Sequence, residues 1–157
     1  ASKVILIQRS KARLEMARQT VNADVFVCSG EEDAVKRVLE ETHGLGADVI
    51  LTACPSPEAQ QDALKMAKNR ARINFFGGLP KEKSKVVLDT NVIHYKELIV
   101  TGAHGAMPIH HMKAIELIAS GTIDVKPFIS DQFPLDDIKA AFEAAESHRG
   151  MRVIVKP

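Results

Sequence analysis

Short apolar runs alternate with longer amphipathic stretches along most of the chain. Residues 4–7 (VILI) form an unbroken run of branched side chains, as a strand buried on both faces requires. Leu14, Ala17 and Val21 then fall at helical spacing within residues 12–21. Residues 25–27 (VFV) read as a second strand. Ser29 stands three positions before Glu32, a capping-box spacing that predicts a helix start there. Val35, Val38 and Leu39 give that helix its apolar face, and Gly44 marks its end. Residues 49–51 (VIL) are a third strand. Ser56 followed by Pro57 predicts a capped helix with proline at its first position. Ala59, Ala63, Leu64 and Ala67 form its inner face. Residues 73–76 are a fourth strand, ending at Gly77-Gly78. Residues 79–91 are polar, contain Pro80 and read as a surface loop. Residues 98–100 are a fifth strand, closed by Thr101-Gly102. Pro108 opens a helix with Ile115, Ile118 and Ala119 on its core face and Gly121 at a left-handed cap. Beyond Gly121 the pattern predicts a strand at 128–133, a helix at 135–147 and a strand at 152–155.

Strands alternating with helices on this scale indicate an α/β protein with a parallel sheet covered on both faces. Such sheets bind ligands outside the C-terminal ends of their strands. That rule singles out Gln8-Arg9-Ser10, Cys28, Thr52-Ala53-Cys54-Pro55, Gly77-Gly78 and Thr101-Gly102-Ala103. Composition narrows the function classes. The 157 residues suit one domain. Lys plus Arg is 21 against 20 for Asp plus Glu, a net charge of +1, so no broad basic field exists for nucleic acid. With no Trp and one Tyr, platforms for base stacking are scarce. No apolar run approaches the ~20 residues of a bilayer-spanning helix. The opening ASKVILIQRS lacks a signal-peptide pattern, and two distant Cys make no disulfide framework, so a reducing, cytoplasmic setting is expected.

Four segments in fixed order carry a family signal: VILIQRSKARLEMA, ADVILTACPSPEAQQDALKMAKNRARINFFGG, HYKELIVTGAHGAMPIHHMKAIELIASGTI and FPLDDIKAAFEAAE. Together they resemble the zinc-dependent alcohol dehydrogenases of the medium-chain dehydrogenase/reductase superfamily. HYKE and FPLDD are most similar to the sorbitol (polyol) and threonine dehydrogenase branch. The resemblance implies a Rossmann-type sheet in which residues 4–7 are the second strand. The glycine-rich turn that follows the first strand, of the G-x-G-x-x-G kind, has no counterpart here. Gly44-Leu45-Gly46 is followed by Asp48-Val49, and Gly102 and Gly105 lack a third partner. The expected fold is therefore a Rossmann-type parallel sheet without its first strand and glycine-rich turn. Residues 1–124 correspond to a partial dinucleotide-binding domain. Residues 125–157 correspond to a C-terminal segment that returns to the catalytic domain. The zinc ligands of the family lie in the part of the catalytic domain that has no counterpart here, so the chain is expected to be the C-terminal portion of a longer dehydrogenase, inactive alone. Because the first strand is central in the order 3-2-1-4-5-6, its absence predicts two bare inner edges.

The resemblance also assigns candidate cofactor residues. Gln8 occupies the strand end where NAD-preferring members place an acid for the ribose hydroxyls. Its neutrality, with Arg9 and Arg13 following, points to tolerance of the 2′-phosphate of NADP. The alternative is a solvated helix start, with Ser10 as its cap. Thr52, Ala53 and Cys54 are implied to pass near the nicotinamide ribose and adenine side; the alternative is a plain strand-to-helix turn. Gly77 and Gly78 would lie against the nicotinamide ribose, or form only a tight turn. Thr101, Gly102 and Ala103 would offer backbone groups to the carboxamide. Arg152 matches a basic residue near the pyrophosphate, or is a surface arginine. No catalytic residue is expected in this chain. No metal site is expected either: His110 and His111, beside His94 and His104, sit adjacent on a predicted helix and diverge by about 100°. The implied activity of the longer enzyme is zinc-assisted hydride transfer between an alcohol or polyol and NAD or NADP. The implied partners are a small-molecule substrate and further copies of the chain, a dimer or tetramer joined near the edge at residues 98–100, with no nucleic acid and no membrane. The rival reading is a non-catalytic nucleotide-binding or interaction module of the same fold.

Overall fold

A computed structural model describes residues 1–147 and 150–157. The chain divides into two compact units, Ala1–Gly30 with Ala106–Pro157, and Glu31–Gly105.

In the first unit, β1 (Ile5–Gln8) pairs in parallel with β2 (Val25–Cys28), and α1 (Lys11–Thr20) connects them. Ser10 caps α1, its Oγ accepting from the Arg13 N–H at 3.4 Å. Leu14 and Ala17 bury the helix face, and Val27 is fully enclosed. The remainder of this unit is α5 (Pro108–Ala119) and a β–α–β element, β6 (Ile129–Pro134), α6 (Ile138–Glu146) and β7 (Arg152–Lys156), with β6 and β7 parallel. The expected helix at 135–147 opens with a 3-10 turn over Leu135–Asp137, and the expected strand at 128–133 starts one residue later.

In the second unit, β3 (Ala47–Leu51), β4 (Ala67–Phe75) and β5 (Ile99–Gly102) form a parallel sheet in that order. Helix α2 (Ala34–Glu41) precedes it, α3 (Pro57–Met66) joins β3 to β4, and α4 (Thr90–Tyr95) precedes β5. Ile50, Ile73 and Val100 share one register row and one face. They meet Ala63, Leu64, Ala67, Ala71 and Leu98, with Val92 and Ile93 of α4 packed alongside. The alternate rows, Val49–Arg72–Ile99 and Leu51–Asn74–Thr101, lie on the other face. Val49 is 62% and Leu51 67% exposed, so that face is uncovered. A parallel sheet is ordinarily covered on both sides.

Removing strand 1 from the order 3-2-1-4-5-6 leaves 3-2 and 4-5-6. The two sheets β1–β2 and β3–β4–β5 are these pieces, and among the described residues β1 and β3 each have a single strand neighbour. Each of these sheets thus ends on a strand without a second neighbour among the described residues.

Four local expectations are corrected. Helix α2 is capped by Asp33, whose Oδ1 accepts from the Lys36 N–H at 3.0 Å, and not by a Ser29–Glu32 box. The chain first turns tightly at Gly30, where a Cβ would stand 2.5 Å from the Arg9 carbonyl oxygen. Strand β4 starts at Ala67, six residues early, because Ala67 pairs with Ala47 before a register shift. The polar segment 79–91 runs into α4, capped by Asp89 through the Asn91 N–H at 3.0 Å. The expected core face of α5 is not buried: Ile115 is 65% exposed, and Ile118 and Ala119 are exposed too. No described residue packs over it.

Gly46 tests the packing of β3 on the helix end. Its φ is +86°, and a Cβ there would lie 2.6 Å from the Met66 carbonyl oxygen and 2.7 Å from the Lys68 nitrogen. Gly44, at φ +79°, has open space around it. Gly46→Ala is expected to cost about 2–4 kcal/mol and Gly44→Ala about 1 kcal/mol. Urea unfolding of the two variants measures the difference; equal midpoints would contradict this packing.

Candidate functional site

The candidate residues fall into two groups, one in each unit. In the first unit, Gln8 ends β1. Its Oε1 accepts from the backbone N–H of Arg9 at 2.9 Å and of Ser10 at 3.5 Å. The side chain thus folds back to cap the turn, an arrangement suited to an amide at a helix start. The Arg9 carbonyl is held by Gly30 from one side and accepts from the Cys28 thiol at 3.5 Å. The Arg9 side chain is exposed and makes no hydrogen bond or ion pair with another described residue. Arg13 is half-buried, and its Nη2 donates to the Gly150 carbonyl at 3.5 Å. That contact brings it to the start of β7, beside exposed Arg152, whose backbone N–H donates to Ser130 Oγ at 3.4 Å. Gln8 and Arg9 are thus adjacent at the end of β1, Arg13 follows in the first turn of α1, and Arg152 is two residues from the carbonyl that Arg13 touches.

In the second unit the three strand ends form one linked group. The Thr52 N–H donates to the Asn74 carbonyl at 3.0 Å, and the Gly77 N–H donates to the Thr52 carbonyl at 2.7 Å. Across β5, the Ala103 N–H donates to the Phe75 carbonyl at 3.4 Å. The turns 52–54, 77–78 and 101–103 are therefore brought together. Thr52 is buried, while Ala53, Cys54, Gly78, Thr101, Gly102 and Ala103 are exposed. The two glycines after β4 differ. A Cβ on Gly77 would stand 2.7–2.9 Å from the backbone of Cys54, so this glycine exists for turn-to-turn packing. Gly78 and Gly102 face open space. They leave the backbone accessible to a ligand.

Asn74 went unnoticed in the sequence, although its signal was there: a polar residue between Ile73 and Phe75 in an apolar strand. Its Nδ2 donates to Thr101 Oγ1 at 3.1 Å. Gln60 was also missed. It lies on the core face of α3, 7% exposed, and its side-chain amide makes no hydrogen bond to a described residue. On the solvent side of α3, Asp62 accepts from Lys65 Nζ at 2.7 Å, and this hydrogen bond and charge raise the Lys65 pKa. Lys65 edges a groove of about 310 Å³ floored by Leu64, Leu88 and Val92, remote in sequence from the strand ends.

The described residues contain no cluster of three or more His, Cys, Asp or Glu able to hold a metal ion. Of the chain's six histidines, two of the four singled out in the sequence have polar or ring partners. His110 Nδ1 accepts from the Met107 N–H at 3.1 Å, and His94 stacks edge-on with Tyr95. No described helix is long and apolar enough to cross a membrane.

Residues 1–120 match the family model described as zinc-binding dehydrogenase. The chain belongs to this family. Relatives of the family include the L-threonine 3-dehydrogenase of Bacillus subtilis, 34% identical over 158 residues, and that of Bacillus licheniformis, 33% identical over 159. Both alignments cover all of this chain and 45% of the relative, so the chain spans about half the length of the curated relatives it matches. Among solved structures, a dehydrogenase of Sinorhizobium meliloti described as zinc-binding and bound to NADP has a TM-score of 0.89 at 26% identity. It covers all of this chain and 46% of that one. An alcohol dehydrogenase of Thermotoga maritima has the same TM-score at 24% identity, covering 100% of this chain and 44% of its own, and shows the shared fold. The Rossmann-type class read from the segments is the class of the family.

Two substitutions separate packing from accessibility. Gly77→Ala is expected to destabilise by about 2 kcal/mol or more, and Gly78→Ala by less than about 0.5 kcal/mol. Gln60→Leu is expected to change stability by less than about 1 kcal/mol, since no fully buried side-chain nitrogen or oxygen among the described residues lacks a partner and the substitution relieves no unpaired group. Thermal unfolding reads all three; a Gly77→Ala variant as stable as Gly78→Ala would contradict the Cys54 contact.

Proposed function

We propose that the chain supplies most of the cofactor-binding fold of a medium-chain alcohol or polyol dehydrogenase. The observation that carries this reading is the linked trio of strand ends, with Gly78 and Gly102 open at the place where α/β sheets bind ligands. Family membership and whole-chain likeness to threonine dehydrogenases support it. NAD or NADP, when bound, supplies the acceptor or donor of the hydride.

This chain's own residues do four things in the proposal. Turns 52–54 and 77–78 hold the nicotinamide ribose. Thr101, Gly102 and Ala103 meet the carboxamide through the backbone. Gln8 marks the ribose end. Its oxygen is already engaged by two backbone N–H groups, which weakens it as an acceptor for ribose hydroxyls. Arg9, exposed and unpaired among the described residues, offers a charged donor to a 2′-phosphate, and Arg13 and Arg152 add positive charge in the same unit. The site accordingly accepts NADP.

The zinc in the family's description does not fit the residues described here, and no step is assigned to it. No residue of this chain is assigned as catalytic. Residues 125–157 are proposed as the segment that returns to the catalytic domain of a longer polypeptide. The proposed assembly is a dimer or tetramer joined near residues 98–100, in the cytoplasm. The second reading is a module of the same fold that binds nucleotide without catalysis; the absence of a metal-ligand set among the described residues agrees with either.

The deciding assay measures NADH or NADPH formation with sorbitol, L-threonine and simple alcohols. The 157-residue chain alone is expected to give no turnover, and a protein of the relatives' length to give it. Nucleotide binding without turnover in the longer protein would support the second reading. In that protein Arg9→Ala is expected to weaken NADP binding about tenfold and NAD binding by less than about threefold. Equal losses for both nucleotides would remove Arg9 from the phosphate site.

A further inference from the structure

We infer that Asn74 is the positioning residue for the nicotinamide end of the site; the inference rests on the function proposed above. Asn74 occupies the middle strand, in the register row Leu51–Asn74–Thr101. Its carbonyl accepts from the Thr52 N–H at 3.0 Å and from Thr52 Oγ1 at 3.5 Å. Its side-chain Nδ2 donates to Thr101 Oγ1 at 3.1 Å, and Thr101 Oγ1 donates in turn to the Ile73 carbonyl at 3.3 Å. The Asn74 side chain thus ties the end of β5, and the turn that follows it, to the middle strand, while the turn after β3 is held by the main-chain carbonyl of the same residue.

Packing does not account for asparagine here. Its row lies on the uncovered face, where Leu51 is largely exposed. Asparagine is a poor strand former, and a β-branched residue would suit the backbone better. The bond to Thr101 is solvent-exposed, so its contribution to global stability is small. What the bond does is fix the spacing of two turns. It also commits the Thr101 hydroxyl hydrogen to Ile73, which leaves recognition at that turn to the backbone of Gly102 and Ala103.

The test uses Asn74→Ala and Thr101→Val, with Thr101→Ser as the conservative control. In the 157-residue chain, amide hydrogen exchange is read at Gly77 and Ala103 and, for comparison, at core Ile73 and Leu64. Both variants are expected to speed exchange at Ala103 about tenfold and to leave Gly77, which is held through main-chain bonds, and the core unchanged. Thr101→Ser is expected to behave as the unsubstituted chain. In the longer protein, assayed with NAD or NADP against sorbitol and L-threonine, Asn74→Ala is expected to lower kcat about tenfold while the nucleotide KM changes less than about threefold. The double variant is expected to be no worse than either single one. Unchanged exchange at Ala103, a uniform rise that includes Gly77 and the core, or additive losses in the double variant would overturn the inference. So would a kcat unchanged in Asn74→Ala. If the unsubstituted longer protein binds neither nucleotide, the functional reading itself falls and the inference with it; that result is seen before any variant is made.

Discussion

Lateral backbone pairing between β3, β4 and β5 is the constraint on which the rest of the second unit depends. Parallel strands in register bring their C-terminal ends level, and every turn of the candidate site is attached to one of those ends. The shared row at Leu51, Asn74 and Thr101 places the three turns side by side. Close approach then does the rest. The Gly77 N–H reaches the Thr52 carbonyl, and the Cys54 backbone fills the space a side chain would need. The core beneath, centred on fully buried Ile73, keeps the pairing in place.

Only half of that sheet's apolar surface is used. Ile50, Ile73 and Val100 face α3 and α4, while Val49, Leu51 and Ile99 face outward. Helix α5 carries its own exposed apolar residues, including Ile109, Met112 and Ile115. At about 25 cal/mol per Å² of apolar area, surface of this kind represents unrealised burial. A doubly wound fold realises it by covering both faces, and its central strand also pairs the edges of strands that, like β1 and β3 among the described residues, have a single neighbour.

The elements with branched runs or capped starts were legible in the sequence. Residues 5–7, 25–27 and 49–51 are strands as their branched runs indicate, although Val4 stays outside β1 and Ile7 is exposed instead of buried. Ser10 and Ser56 cap the helices they were expected to cap. The misses share a cause: each depends on something outside the local window. Ser29–Glu32 has the spacing of a capping box, but the chain must first clear the Arg9 carbonyl at Gly30. Helix α4 is too short for a periodicity to be counted, and becomes visible only when Val92 and Ile93 meet the core. The face of α5 was read correctly as apolar, and apolarity does not say whether a partner is present. At the site, the glycines announced a turn without saying which one faces open space. Asn74 belongs to a network across three strands, which no single stretch of sequence can display.

The contact between Gly77 and Cys54 has a consequence for how such a chain can diverge. The two residues lie on different turns, yet the path of one peptide occupies the volume of the other's absent side chain. Neither turn is free to drift alone. A side chain at 77 therefore requires the backbone at 54 to shift with it, so the two turns can change shape only together. Gly78, one residue further, has open space where a side chain would stand and is under no such constraint.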